Sequence, residues 1–216
     1  MEGHFTTFNV LPDGHVRGFY LHVERLAYGQ RSLFGKGLPD ELVDAMRELR
    51  ELREPKTYRV SCYADSFNIT ARETPPSEPI SCAFYPLVRE MPRVKHDDLA
   101  PQWDAQRAVA ADDAVLVTGD VVTEGTMFNV GFITPSGSLE WPLGELLLGT
   151  TQQLIEGVWP SARKDIRVGE VEGYIGAIAT NAARGVRLIT QIGTSLVTTS
   201  RGAEVAADIA RAYEAL

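Results

Sequence analysis

The sequence predicts an α+β protein in two lobes. Three observations carry that prediction. Strand-like runs and helical stripes occur on both sides of residue 75, three prolines fall within seven residues (Glu73 to Pro79), and the composition changes beyond them. The predicted lobes are residues 1–73 and 82–216, joined by a Pro-rich linker over 74–81.

The first lobe opens with His4 to Val10, weakly alternating and rich in β-formers, followed by the turn signal Pro12-Asp13-Gly14. Val16 to Leu21 reads as a second strand, which predicts an opening hairpin. A helix is expected from about His22 to Phe34, broken by Gly35 and Gly37. Leu38-Pro39-Asp40-Glu41 starts the next helix, with proline and acids in the first turn where the dipole favours them. Leu42, Met46, Leu49 and Leu52 form its apolar stripe, and Pro55 ends it. Thr57 to Thr70 has strand composition with a polar break. The prolines that follow can continue neither a helix nor a central strand.

Beyond them, Pro79 to Val88 resumes a strand pattern and Leu99 to Ala111 is helix-like. Gly119-Asp120 joins two strand runs as a hairpin signal. Strands are expected at Phe128 to Thr134, around Leu139 to Trp141, at Tyr174 to Thr180 and at Val186 to Ile192. Helices are expected from about Thr150 to Gly157 and from Gly202 to Leu216, the latter with Val205, Ile209, Tyr213 and Leu216 on one face.

With 216 residues, 44% hydrophobic and 23% charged, the chain has ordinary globular composition, which excludes disorder, collagen and a disulfide-knit miniprotein. Acidic residues number 29 and basic ones 21, a net charge of −8 that argues against nucleic acid or an anionic membrane as main partner. It leaves room for a local anion site. Cys62 and Cys82 stand apart, outside any C-x-x-C or Cys/His cluster, and the four histidines lack metal spacing, so no metal site is expected. The N-terminus lacks the pattern of a signal peptide, and no apolar run reaches the ~18 residues that span a bilayer. The expectation is a cytoplasmic protein.

Several residues suggest chemistry. Gly149-Thr150-Thr151 sits where a helix should begin, and free N–H groups with Thr hydroxyls there suit an anion or simply cap the helix. Thr180-Asn181-Ala182 lies in a turn whose N–H groups could form an anion nest or only a polar loop. Arg25 is a third possible anion ligand, with a surface arginine as the default. Lys95 follows a strand and Pro92. A desolvated lysine there becomes an amine nucleophile, although most lysines are simply solvated. Glu124, beside Gly125, is an acid at a strand end, where glycine lets a flat ring approach the backbone. Read alone it is a surface acid. Asn129 alternates with apolar neighbours and reads as a buried hydrogen-bonder. Asp97-Asp98 and Asp112-Asp113 read as helix ends or solvated turns. No G-x-S-x-G, P-loop or G-x-G-x-x-G occurs.

The order of these pieces is more telling than any one. H-x-E-R-L at His22, Lys95 after a Pro-bearing strand, V-T-E-G-T-x-x-N at Val122 to Asn129, G-T-T from Gly149, and T-N-A from Thr180 together resemble the class IV aminotransferases, the fold-type IV pyridoxal-phosphate enzymes. These include branched-chain and D-amino-acid aminotransferases and aminodeoxychorismate lyase. The resemblance runs from about His4 to Ile192 and is densest from Asp112 to Ile155.

The resemblance implies a two-lobed fold-type IV architecture with a shortened N-terminal lobe, and pyridoxal 5'-phosphate as cofactor. Lys95 would form the internal aldimine and shuttle the substrate α-proton. Glu124 would partner the ring nitrogen, Arg25 with Gly149, Thr150 and Thr151 the phosphate, and Asn129 and Asn181 would complete the cofactor-binding set. The implied reaction is transfer of an amino group between an amino acid and a 2-oxo acid. A lyase of the aminodeoxychorismate type and a repurposed, non-catalytic relative are the alternatives. A homodimer is implied as well. The sequence departs from the family pattern in three places. Gly3-His4-Phe5-Thr6-Thr7 replaces a longer D-R-G-x-x-x-G-D-G-x-F-E-T stretch, Ala100 stands where many members have tyrosine, and Trp141-Pro142 replaces T-P. These positions bear on substrate rather than cofactor.

Overall fold

The computed structural model describes residues 2–216 and is α+β throughout. The chain divides into two compact units: residues 1–76 with 93–99, and residues 77–92 with 100–216. The segment Arg93 to Leu99, which carries Lys95, thus belongs with the first unit although it follows the prolines.

The first unit holds a three-stranded antiparallel sheet with β2 (Thr57–Cys62) between β1 (His4–Asn9) and β3 (Phe67–Arg72). Helices α1 (Phe19–Phe34) and α2 (Asp40–Leu52) lie between β1 and β2 in the chain. Their apolar stripes meet the sheet in a core of Phe8, Val10, Leu26, Leu42, Met46, Tyr58 and Val60. The predicted opening hairpin does not form. Leu11 to His15 closes a tight turn, and Gly14 and Gly18 take positive φ values of 84° and 62°. The chain therefore swings away, Val16 plugs the core, and α1 begins at Phe19 rather than His22. The partner of β1 comes from far along the sequence instead, with Phe5 opposite Ser61.

The second unit is one curled nine-stranded sheet. Its strands are β4 (Ile80–Pro86), β5 (Asp113–Thr118), β6 (Val121–Gly125), β7 (Asn129–Ile133), β8 (Leu139–Pro142), β9 (Ser161–Lys164), β10 (Gly176–Asn181), β11 (Gly185–Ile192) and β12 (Leu196–Val197). The order is β6-β5-β4-β11-β10-β7-β8-β9, with β12 beside β11. The chain beyond β9 returns to the opposite edge: the Val122 N–H donates to Ile166 and the Val168 N–H to Asp120, so the sheet nearly closes on itself. Its interior core includes Val115, Val130, Phe132, Ile166, Ala177 and Ile189. A second core packs Ile133, Trp141 and Ile178 against α4 (Thr150–Glu156) and α5 (Ser200–Glu214), while α3 (Ala100–Ala108) covers Ala114 and Leu116. On α5, Val205, Ile209 and Tyr213 are buried as the stripe predicts, but Leu216 lies past the helix end and is exposed.

Strands β9 and β12 carry no sequence signal. All four residues of β9 are exposed, so nothing selects an alternating pattern there. Asp113 also departs from expectation. It is buried at the start of β5, where it accepts from Thr126 Oγ1 (2.5 Å) and the Ala114 N–H (2.8 Å), and burial pushes its carboxyl above the usual range. Both cysteines are buried and free, their thiols pushed up to about 12 by burial. Among the described residues no helix is long and apolar enough to cross a membrane.

Candidate active site

In the first unit, α1, β2 and the segment Arg93 to Leu99 carry three cations, Arg25, Arg59 and Lys95, and α1 also carries a neutral imidazole, His22. Residues three apart on a helix share a face, so α1 presents His22 and Arg25 together. Gly29 lies farther along the helix, where a Cβ would come within 2.5 Å of the His4 ring, so its absence lets the helix settle on β1. His22 is fully enclosed, and its Nδ1 lies 2.7 Å from Thr6 Oγ1. Burial first, then the charges of Arg25 and Lys95, depress its pKa to about 3. His22 is therefore uncharged and does not repel Arg25 or Lys95.

Lys95 is fixed by its backbone: its carbonyl accepts from the Phe5 N–H at 2.9 Å, and the neighbouring His96 bridges His4. Its Nζ lies 4.8 Å from the centre of the Phe5 ring. The same ring carries Arg59, whose Cζ is 3.7 Å from the centroid. Strand alternation explains this, because Arg59 pairs with Thr7 and Phe5 with Ser61, which puts Phe5 and Arg59 on one face. Arg59 Nε donates to Ser61 Oγ at 3.2 Å, and among the described residues no carboxylate forms a salt bridge with its guanidinium. It is a half-buried cation able to receive a carboxylate. Sequence reasoning missed Arg59. The available signal was an arginine inside the otherwise apolar or small strand T-Y-R-V-S-C.

In the second unit, three of the expected residues, Glu124, Asn129 and Gly149, gather around the backbone of Leu147. Leu147, in the loop before α4, directs its N–H towards Glu124 Oε1 (3.5 Å), and its carbonyl accepts from Asn129 Nδ2 (2.7 Å). Asn129 Oδ1 then packs on Gly149, where a Cβ would lie 2.0 Å from it. Only glycine fits under that amide. Helix α4 starts next, with Thr150 and Thr151 buried and no side chain capping the N-terminus. The hydroxyl of Thr151 is buried and has no hydrogen-bond partner. A hydroxyl so placed costs about 1–3 kcal/mol unless something answers it.

Glu124 is buried and accepts from Arg89 Nη1 at 2.6 Å, the two side chains being 7% and 10% exposed. The expectation that Gly125 lets an external ring approach is corrected here. The ring over Gly125 is Phe128, whose Cζ would lie 2.2 Å from an added Cβ. Asn181 staples its own turn, its Nδ2 donating to Met127 O (3.1 Å) and its Oδ1 accepting from the Arg184 N–H (2.8 Å).

The second unit thus carries an unanswered buried hydroxyl, two threonines at a helix start and a buried carboxylate, and the first unit carries an amine and two guanidinium groups. The Amino-transferase class IV family profile matches residues 3–192 of this sequence. The chain belongs to that family.

Solved structures agree on the class IV fold. A hypothetical aminotransferase from Mycobacterium tuberculosis in its apo form aligns with a TM-score of 0.82 at 18% identity, covering 98% of this chain and 88% of that one. A fold IV-transaminase from Curtobacterium pusillum aligns at 0.81 and 20% identity, covering 99% and 86%. A candidate 4-amino-4-deoxychorismate lyase from Legionella pneumophila aligns at 0.79 and 17% identity, covering 97% and 91%. The Mycobacterium tuberculosis protein also has a PLP-bound structure, which aligns at 0.81. Identities this low establish the shared fold alone. No curated protein sequence matches this chain.

Proposed function

We propose that this class IV family member is a pyridoxal 5'-phosphate-dependent aminotransferase that moves an amino group between an amino acid and a 2-oxo acid. The observation that carries the reading is the Leu147 cluster. It fixes Glu124, Asn129 and Gly149 in register while leaving the Thr151 hydroxyl unanswered, as a waiting phosphate oxygen requires.

When bound, the cofactor supplies a carbonyl that condenses with amines and a ring that withdraws electrons. The chain's residues do the rest. Thr150, Thr151 and the first N–H groups of α4 hold the phosphate, with Arg25 as its countercharge. Glu124 holds a proton at the ring nitrogen. Lys95 Nζ would hold the cofactor and would move the proton at the substrate α-carbon. Neutral His22 keeps a third positive charge away from Lys95 and Arg25. Arg59 receives a substrate carboxylate. A homodimer belongs to the same proposal, and light scattering on the eluting protein would report its mass.

The test is borohydride reduction of protein supplied with pyridoxal 5'-phosphate, followed by peptide mass spectrometry. The expected result is one labelled peptide, with the mass addition on Lys95, absent from Lys95→Ala. Loss of the amine should also lower transfer between amino acid and 2-oxo acid by roughly 10³-fold or more. A label elsewhere, or none, overturns the reading. Pyruvate released without a 2-oxo acid acceptor would assign the chain to lyase chemistry instead.

A further inference from the structure

Arg89 and Glu124 form a deeply buried ion pair in the second unit, and the chemistry above uses only its carboxylate. Its geometry is that of a built clamp. The loop leaving β4 is pinned where the Leu87 N–H donates to Val117 O, and it turns at Met91, whose φ of 46° lies in the left-handed region. That region is costly for a side chain of this size. The turn brings the Pro92 carbonyl to Arg89, so that Nη1 spans Pro92 O (3.3 Å) and Glu124 Oε1 (2.6 Å). Pro92 is the last residue of the second unit before the segment that carries Lys95.

Stability does not explain the pair. Burying two charges costs several kcal/mol per ion, and well-packed apolar residues of equal volume hold a fold as well or better. A carboxylate alone at the position of Glu124, 7% exposed, would favour its neutral form. A guanidinium at 2.6 Å supplies both the opposite charge and a fixed direction for one carboxylate oxygen.

We propose that Arg89 is a positioning residue for Glu124, holding its carboxylate charged and oriented towards the cofactor's ring nitrogen. The inference rests on the cofactor reading given above. It predicts that Arg89 contributes to cofactor binding only through the ring nitrogen, whereas a purely structural arginine would affect every ligand of the site alike.

Titration of the apoprotein with pyridoxal 5'-phosphate and with its 1-deaza analogue, followed by tryptophan fluorescence, separates the two. The wild type is expected to prefer the natural cofactor. Arg89→Met should reduce that preference by about tenfold or more, the scale of one charge-assisted hydrogen bond. Glu124→Gln should reduce it at least as far, and the double variant should lose no more than Glu124→Gln alone. Arg89→Lys keeps the charge without the planar fork and should fall between wild type and Glu124→Gln. That variant carries the test if Arg89→Met does not fold. Equal weakening of both ligands in the arginine variants, or an unchanged preference, overturns the proposal. A wild type that binds both ligands equally overturns it while leaving the cofactor reading intact, and one that binds neither removes both.

Discussion

In the first unit the candidate groups are cations on long stems. Lys95 and Arg59 share the Phe5 ring, and the charges of Arg25 and Lys95 both bear on an uncharged histidine. In the second unit they are short side chains and one carboxylate, joined through the Leu147 peptide and through Arg89. Long stems hold a charge in place loosely and let it travel, as an amine that forms and breaks bonds must. Short cross-linked groups cannot move without breaking something, which suits a cradle. The first unit therefore depends on electrostatics for its order and the second on packing. Perturbations of packing and of pH should separate them.

The largest expected effect is steric. In Gly149→Ala the new Cβ would lie 2.0 Å from Asn129 Oδ1, so the amide must leave and its bond to Leu147 O is lost. Overpacking together with a broken buried hydrogen bond should cost about 2–4 kcal/mol. Urea denaturation should show that loss at neutral pH. A variant as stable as wild type would mean that the Leu147 cluster is slack, and the contrast drawn between the units would fail.

The next effect belongs to the first unit and depends on pH. His22 has a folded-state pKa near 3, below its ordinary value of 6.5. The unfolded chain then binds more protons between those values, so stability is complete above about pH 6.5 and is lost as pH falls. The slope approaches 1.4 kcal/mol per pH unit, or about 2 kcal/mol between pH 6.5 and 5. His4, also depressed chiefly by burial, adds to the same loss. Comparing wild type with His22→Gln isolates the single contribution: the acid-dependent loss should shrink by about 2 kcal/mol over that interval. If both proteins lose stability in parallel, His22 is not held uncharged by burial.

The parts legible in the sequence were those where a local pattern and the tertiary contact agree. The stripe of α2, the Gly119-Asp120 hairpin and the threonines opening α4 each announce themselves within a few residues. The opening strand pair did not, because β1 finds its partner some fifty residues away and Gly18 redirects the chain between them. Order along the chain nominates Lys95, Arg25 and Glu124 for the proposed site. It could not reveal Arg59 or Arg89, because each becomes noticeable only through what it faces: an aromatic ring across a strand register, and a carboxylate reached by a left-handed turn. The reason for Gly149 was likewise hidden, since it lies in the packing of Asn129 rather than in any unusual φ of its own.

The smallest expected effect distinguishes a cradle from a flaw. Thr151→Val keeps the shape of the side chain and removes a buried hydroxyl that has no partner in the protein. If that hydroxyl merely lacks a partner, the variant gains about 1 kcal/mol and nothing else changes. If it waits for a phosphate oxygen, the gain appears only without cofactor, and affinity for pyridoxal 5'-phosphate falls by about tenfold. Stability and affinity then move in opposite directions from one substitution. Melting curves recorded with and without cofactor would show the variant above wild type in the first condition and below it in the second. A variant that melts higher in both would show that the second unit tolerates an unsatisfied group for no ligand, and Thr151 would leave the proposed site.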